Sequence, residues 1–311
     1  MSGIARLSPL LVIIAALLIT ACSRQSIYEA AIQLERSSSG LEAVSVQVGE
    51  LDIAYLRNSE PTDGDTIVMV HGFGANKDNW TRLADYLTGE FNVVAVDLPG
   101  HGDSSKPLDL GYTVPEQAEH LGRILEALAI DRSHMIGNSM GGAITALFAA
   151  RYPDRLQSAV LFDPAGIHEY DSELVERVEH GDNPLIPSKP GDLSRLMDFA
   201  LEQKPFVPWP ILDVLEQKAI ANREVNRVIF RAIRSSEHAN QFRDQLALIR
   251  DPVLVVWGME DRVINYRNGD LFVAALADAR LELMPNIGHA PMIEAPEDSA
   301  ALVRSFINST R

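Results

Sequence analysis

The six residues Gly137-Asn138-Ser139-Met140-Gly141-Gly142 constrain this chain more than any other stretch. They fit Gly-x-Ser-x-Gly, a pattern that carries meaning only between a strand and a helix. Both flanks are of the right kind. Ser133-His134-Met135-Ile136 is short and apolar, as a buried strand is, and Ala143-Ile144-Thr145-Ala146-Leu147-Phe148-Ala149-Ala150 is rich in helix formers. Gly137 and Gly141 let strand and helix approach closely, and the serine between them can be held in a strained conformation at the strand's carboxyl end. Ser139 is therefore the candidate nucleophile; without that setting it is a surface serine on a glycine-rich turn.

The rest of the chain has a matching rhythm. Apolar runs at Val44–Val48, Leu51–Leu56, Thr66–Val70, Val93–Val96, His134–Gly137, Ala159–Phe162, Val253–Trp257 and Arg280–Leu283 read as strands. Helical patterns fall at Trp80–Leu87, Pro115–Ala129, Met140–Tyr152, Arg267–Leu276 and Pro296–Asn308. Several of the strands are nearly all apolar, as parallel strands covered on both faces are. The alternation predicts an α/β fold: a mostly parallel eight-stranded sheet with helices on both faces. From 168 to 249 no convincing strand appears. Helical stretches at Leu193–Gln203, Ile211–Ala221 and Glu224–Arg234, separated by proline-rich turns, read as a helical cap inserted over the carboxyl edge of the sheet, where open α/β sheets bind ligands.

A serine hydroxyl needs a base to take its proton and a third group to orient that base. His289, in Asn286-Ile287-Gly288-His289-Ala290-Pro291 after the last strand, is the candidate base. The acid should follow a strand and precede the histidine. Asp261, in Trp257-Gly258-Met259-Glu260-Asp261-Arg262-Val263, is the favoured acid; Glu260 is the near alternative and Asp163, after the strand ending at Phe162, the remote one. His71-Gly72-Phe73-Gly74 ends another strand, and its loop can aim the Phe73 amide beside the Met140 amide as an oxyanion hole, or be only a turn. The loop Asp97-Leu98-Pro99-Gly100-His101-Gly102-Asp103-Ser104 reads as turn structure. Histidines 120, 134, 168, 180 and 238 fall where packing or surface roles are expected. This set needs neither a metal nor an organic cofactor.

The amino terminus suggests export. Arg6 precedes ten unbroken apolar residues, Leu10–Ile19, and Ile19-Thr20-Ala21-Cys22 places small residues before a cysteine. The run is shorter than the roughly 20 residues of a spanning helix and reads as a signal peptide. Its end resembles the lipobox of bacterial lipoproteins, in which the cysteine is acylated and becomes the new amino terminus. Cys22 is the single cysteine of the chain, so no intrachain disulfide can form. By the same resemblance, Ser23 favours the outer membrane over inner-membrane retention. The formal charge of −16 argues against nucleic-acid binding and against attraction to anionic lipids, so membrane attachment would come from the lipid. The expected plan is a signal peptide at 1–21, a tether at 22–43 with a helix at Tyr28–Glu35, a core at 44–167 and 250–311, and the cap at 168–249.

Taken together, residues 45–308 resemble the α/β-hydrolase superfamily, and within it monoacylglycerol lipase-like serine esterases and related bacterial lipases. The matching residues are His71-Gly72-Phe73-Gly74-Ala75-Asn76-Lys77-Asp78-Asn79-Trp80, the Ser139 turn, Asp163-Pro164-Ala165-Gly166, and the Asp261 and His289 loops. The resemblance implies Ser139 as nucleophile, Asp261 as acid, His289 as base, and the Phe73 and Met140 amides as oxyanion donors, acting on small-molecule ester or lipid substrates. Hydrolases that cleave carbon–carbon bonds of ring-fission products share Gly-Asn-Ser-Met-Gly-Gly, but they carry a tryptophan after the catalytic histidine, where this chain has Ala290. Dehalogenases and epoxide hydrolases place aspartate where Ser139 stands. A non-catalytic anchored binding module would be expected to have lost part of the triad. The segment Lys204-Pro205-Phe206-Val207-Pro208-Trp209-Pro210-Ile211 either touches acyl chains or membrane, or is a proline-rich turn packed on the core.

Overall fold

A computed structural model describes residues 9–234 and 239–310, with side chains from Arg24 onward except at 239 and 240. Residues 1–8 of the expected signal peptide and the Cys22 side chain lie outside the described residues. Eight strands form one sheet: β1 (Leu41–Val48), β2 (Leu51–Asn58), β3 (Thr66–Val70), β4 (Asn92–Val96), β5 (Ser133–Asn138), β6 (Leu156–Phe162), β7 (Val253–Gly258) and β8 (Ala279–Met284). Their order is β1-β2-β4-β3-β5-β6-β7-β8. β1 and β2 pair antiparallel, β2 is antiparallel to β4, and every later pairing is parallel.

Burial follows position in the sheet. Every residue of β5 and β7 is buried, as expected of strands covered on both faces. Edge strand β1 alternates between more and less buried residues, the pattern of a strand with one solvated face. In register, Gly137 lies opposite Val70 of β3 and Leu161 of β6. The centre of the sheet thus carries the serine turn at its carboxyl edge.

Twelve helices accompany the sheet among the described residues: α1 (Pro9–Ser38), α2 (Thr81–Ala84), α3 (Val114–Ala127), α4 (Met140–Arg151), α5 (Glu173–Glu179), α6 (Asp192–Ala200), α7 (Ile211–Ala221), α8 (Arg223–Ile233), α9 (Ala239–Leu246), α10 (Asn268–Ala275), α11 (Pro291–Glu294) and α12 (Pro296–Thr310). α3 opens on a capping box, in which the Thr113 hydroxyl accepts from the Glu116 amide and the Glu116 carboxylate from the Thr113 amide. The helix expected over Trp80–Leu87 is shorter: a 3-10 turn at Lys77–Trp80 runs into α2, which stops at Ala84.

Between β6 and β7 lie α5 to α9 and no strand among the described residues. α5 and α9 carry no strong sequence signal. α9 buries Phe242 and Leu246 against the body of the fold, with the Phe242 ring 6.0 Å from Phe272 of α10.

The expected tether at 22–43 is corrected by the structure. Its residues continue α1 to Ser38 and then enter β1 at Leu41. Tyr28 is buried, and Arg36 donates two hydrogen bonds to Asp78 at 2.6 and 2.7 Å. This packing is what ties the carboxyl-terminal half of α1 to the fold. Among the described residues no helix is long and apolar enough to cross a membrane.

Candidate active site

Ser139 stands between β5 and α4 with φ +55° and ψ −120°, a backbone region rarely adopted by residues with a side chain. Its neighbours hold it there. The Ser139 amide donates to Phe162 O at 3.0 Å, and its carbonyl accepts from the Ala165 amide at 3.0 Å. A Cβ on Gly137 would lie 2.3 Å from Gly141 O, and one on Gly141 would lie 2.1 Å from Val70 O. The helix therefore sits directly on the strands only because both residues are glycine. Ser139 is only partly buried, in contrast to the fully buried strand behind it.

His289 and Asp261 meet at the same edge. His289 Nδ1 lies 2.8 Å from Asp261 Oδ2. Asp261 Oδ2 also accepts from the Trp257 indole at 3.1 Å, while Oδ1 accepts from the Val263 and Ile264 amides at 2.8 and 3.0 Å. Four donors fill the carboxylate's acceptor sites and fix its direction. With Nδ1–H turned to Asp261, Nε2 is the free acceptor of the imidazole. Glu260, the near alternative, is exposed and meets the His289 loop only through its amide, which donates to Ile287 O.

Asp163, the remote alternative, is fully buried beside this pair. Its Oδ1 accepts from the Gly258 amide at 2.8 Å, and Oδ2 has no hydrogen-bond partner among the described residues. Burial, reinforced by repulsion from Asp261, pushes its carboxyl well above the usual carboxylate range. Asp163, Asp261 and His289 each place one possible ligand atom within 4.8 Å of the others. The acceptor sites of Asp261 are already taken by its four donors, so a metal ion there would have to displace them.

The loop after β3 is fixed by a buried histidine. His71 Nε2 accepts from the Leu98 amide at 3.1 Å, and Nδ1 donates to Gly72 O at 2.7 Å. Burial lowers its pKa to about 4, so the ring is neutral. A Cβ on Gly72 would come 3.1 Å from the Ser139 Cβ, which puts this loop against the serine turn. The Phe73 amide makes no hydrogen bond to the described residues. Met140 is the first residue of α4, where an N–H has no partner within the helix.

The turn at 97–104 holds more than turn structure. Lys77 is almost fully buried, with Nζ 2.8 Å from Asp97 Oδ2 and 2.6 Å from Asp103 Oδ2. Burial alone would lower the ammonium's pKa; Asp97 and Asp78 outweigh it and raise it. A Cβ on Gly102 would lie 2.1 Å from the Asp97 carboxylate, so this glycine, at φ +51°, leaves room for the network.

The cap and the His289 loop are tied together by one side chain that no sequence motif singles out. Glu294 accepts from the amides of Gly288 at 3.0 Å, Ala290 at 3.2 Å, and Glu202 and Gln203 at 2.8 Å each. The His289 amide donates to Ala200 O at 2.8 Å, and Asn138 donates to His289 O at 3.0 Å. On the other side, the Phe73 ring lies 5.4 Å from Phe230 of α8. Of these, Asn138, His289 and Phe73 lie in motifs legible in the sequence, whereas Glu294, Ala200 and Phe230 carried no signal there.

A sheet of this order, with a strained serine turn at its centre and a histidine–aspartate pair at the same edge, defines a class. The chain belongs to the alpha/beta hydrolase fold family, whose model matches residues 65–296. It is 34% identical to "Lipase 3" of Moraxella sp. (strain TA144), over 88% of this chain and 87% of that protein. It is 28% identical to human "Monoacylglycerol lipase ABHD6", over 88% of this chain and 84% of that one. Among solved structures, a bacterial membrane phospholipase A described as a virulence factor superimposes with a TM-score of 0.88 at 37% identity, covering 98% of this chain and 99% of that one. The chain is accordingly an ester hydrolase of this family.

Proposed function

We propose that the protein cleaves carboxylic esters of lipid type, monoacylglycerols among them, through an acyl-enzyme on Ser139. The observation that carries this reading is the His289–Asp261 contact of 2.8 Å, at the sheet edge where the Ser139 turn stands. His289 Nε2 takes the hydroxyl proton as Ser139 Oγ attacks the ester carbonyl carbon. Negative charge develops on the carbonyl oxygen and is met by the Phe73 and Met140 amides. The tetrahedral intermediate collapses, the C–O bond breaks, and His289 returns the proton to the departing alcohol. A water then gives a proton to His289 and attacks the acyl carbon, which releases the acid and restores Ser139. Asp261 keeps Nδ1 protonated throughout, so that Nε2 faces the serine.

The lipid class is supported by relatives named lipase and monoacylglycerol lipase. The Ile19-Thr20-Ala21-Cys22 sequence supports an exported lipoprotein held to a membrane, the outer membrane by the Ser23 rule, through acyl groups on Cys22. A fluorophosphonate should label the wild-type protein and not Ser139→Ala. That variant should lose turnover on the order of 10⁴-fold or more on p-nitrophenyl and monoacylglycerol esters. Full activity in Ser139→Ala would end the proposal. Intact-mass analysis from the native host should show acyl groups on a chain starting at Cys22; an unmodified Cys22 would remove the anchor and leave the esterase reading standing.

A further inference from the structure

Between buried Leu201 and buried Pro210, the cap segment that joins α6 to α7 runs along the surface. Phe206 is 87% exposed and Trp209 69%, whereas Trp80 and Trp257, the other two tryptophans, are fully buried. Prolines at 205, 208 and 210 stiffen the segment, and buried Pro210 pins its end. Presenting two large aromatic side chains to solvent on a stiff support is unfavourable unless something covers them.

The position of α1 identifies the cover. The Arg24 guanidinium lies 5.3 Å above the Trp209 ring and pairs with Asp213 of α7 at 3.1 Å. Five residues earlier in α1, about 7.5 Å along a helix, ends the apolar run Leu10–Ile19, and Cys22 lies between. Whether a lipid on Cys22 or the run itself is buried in a bilayer, that bilayer begins within about two helical turns of Trp209.

We infer that Phe206 and Trp209 form a second, non-covalent contact with the membrane, inserting at its interface beside the amino-terminal anchor; this rests on the anchoring reading above. Tryptophan favours the headgroup level, with its apolar ring toward the acyl chains and its N–H toward water. With a formal charge of −16 the protein has little to gain from anionic headgroups, so the occupant is a zwitterionic lipid surface held by aromatic burial. The segment starts directly after Gln203, whose amide is bound by Glu294 together with those of the His289 loop. Membrane contact is therefore one clamp away from the catalytic histidine, where a substrate leaving the bilayer would arrive.

Trp209 is its own probe. The full chain, reconstituted into phosphatidylcholine vesicles, should lose part of its tryptophan fluorescence when the lipid carries bromine on its acyl chains. Trp209→Phe should abolish most of that quenching, and neither high salt nor added anionic lipid should alter it much. Phe206→Ser/Trp209→Ser should still float with vesicles. It should hydrolyse bilayer-borne monoacylglycerol on the order of tenfold more slowly, while matching the wild type on p-nitrophenyl butyrate. A floating wild-type chain whose Trp209 is quenched by aqueous iodide and not by bromolipid would overturn the inference. So would a Trp209 shielded from both quenchers, which would mean that a second copy covers it. A chain that does not float would remove the anchor and this contact together, leaving fluorophosphonate labelling of Ser139 to judge the esterase reading.

Discussion

Asp163 and Asp261 share one buried corner in opposite settings: Asp261 accepts four hydrogen bonds, His289 among the donors, and Asp163 accepts one, from Gly258. Environment alone divides them, because donors surround one carboxylate while burial opposes charge on the other. Asp261→Asn should reduce kcat on the order of 10⁴-fold, since the imidazole loses the partner that fixes its tautomer. Asp163→Asn should cost far less. Steady-state kinetics on folded variants decides the ranking, and the reverse order would move the acid to the end of β6.

The same pair predicts a pH effect on stability. The folded state raises the pKa of Asp163 above its ordinary value of 3.8, so it holds a proton that the unfolded chain releases. That contribution is fully present below the unfolded pKa and is eroded as pH rises toward the folded one. Asparagine mimics the protonated acid at every pH. Asp163→Asn should therefore melt higher than wild type near neutrality, with the advantage shrinking as pH falls toward about 4. Scanning calorimetry across that range tests it.

Glu294→Ala should slow turnover on the order of 10- to 100-fold without touching any reacting atom, because it frees four amides that fix the His289 loop and the start of the 202–203 segment. Glu294→Gln keeps one acceptor oxygen and should fall between. Burst kinetics with a p-nitrophenyl ester should show slower acylation at unchanged labelling stoichiometry.

Lys77→Met should destabilise the fold by about 3–5 kcal/mol, the usual cost of stranding the partner of a buried ion pair. Asp97, fully buried, would be left facing an apolar thioether in place of the ammonium. Adding Asp97→Asn should recover much of the loss in urea denaturation. Equal destabilisation in single and double variants would show that the network acts only by filling space.

Two buried histidines, His71 and His101, should contribute to the acid limb of stability. Burial lowers the pKa of His71 to about 4 and of His101 to about 3, and their ring centroids lie 4.9 Å apart with the planes tilted by 59°. Both are neutral when folded, while the unfolded chain takes up protons below about 6.5. Their contribution is intact above that value. It falls with decreasing pH by up to about 1.4 kcal/mol per unit for each ring until the folded value is reached. His101→Asn should remove that ring's own share of the slope, up to about 1.4 kcal/mol per unit, in stability measured from neutrality downward.

What the sequence determined by itself was the part written in local pattern. Thr66–Val70 matches β3 residue for residue, because the four apolar residues after Thr66, set between polar turns, form a run that a sheet covered on both faces buries whole. Chain order and strand ends were enough to single out Ser139, Asp261 and His289 as candidates, since each follows a strand and all parallel strands deliver their carboxyl ends to one edge. Tertiary structure decided the rest. Asp261 was distinguished from Asp163 by which carboxylate the Trp257 indole, two amides and His289 reach, a choice made between residues far apart in sequence. Residues 24–38 became a packed helix through Tyr28 and the Arg36–Asp78 pair, and Glu294 became a hub through amides contributed by the cap. Phe206 and Trp209 were left in solvent by a path of the chain that no periodicity encodes. Local pattern sets which face of an element is apolar; which distant donors, charges and surfaces meet it is fixed only when the elements pack.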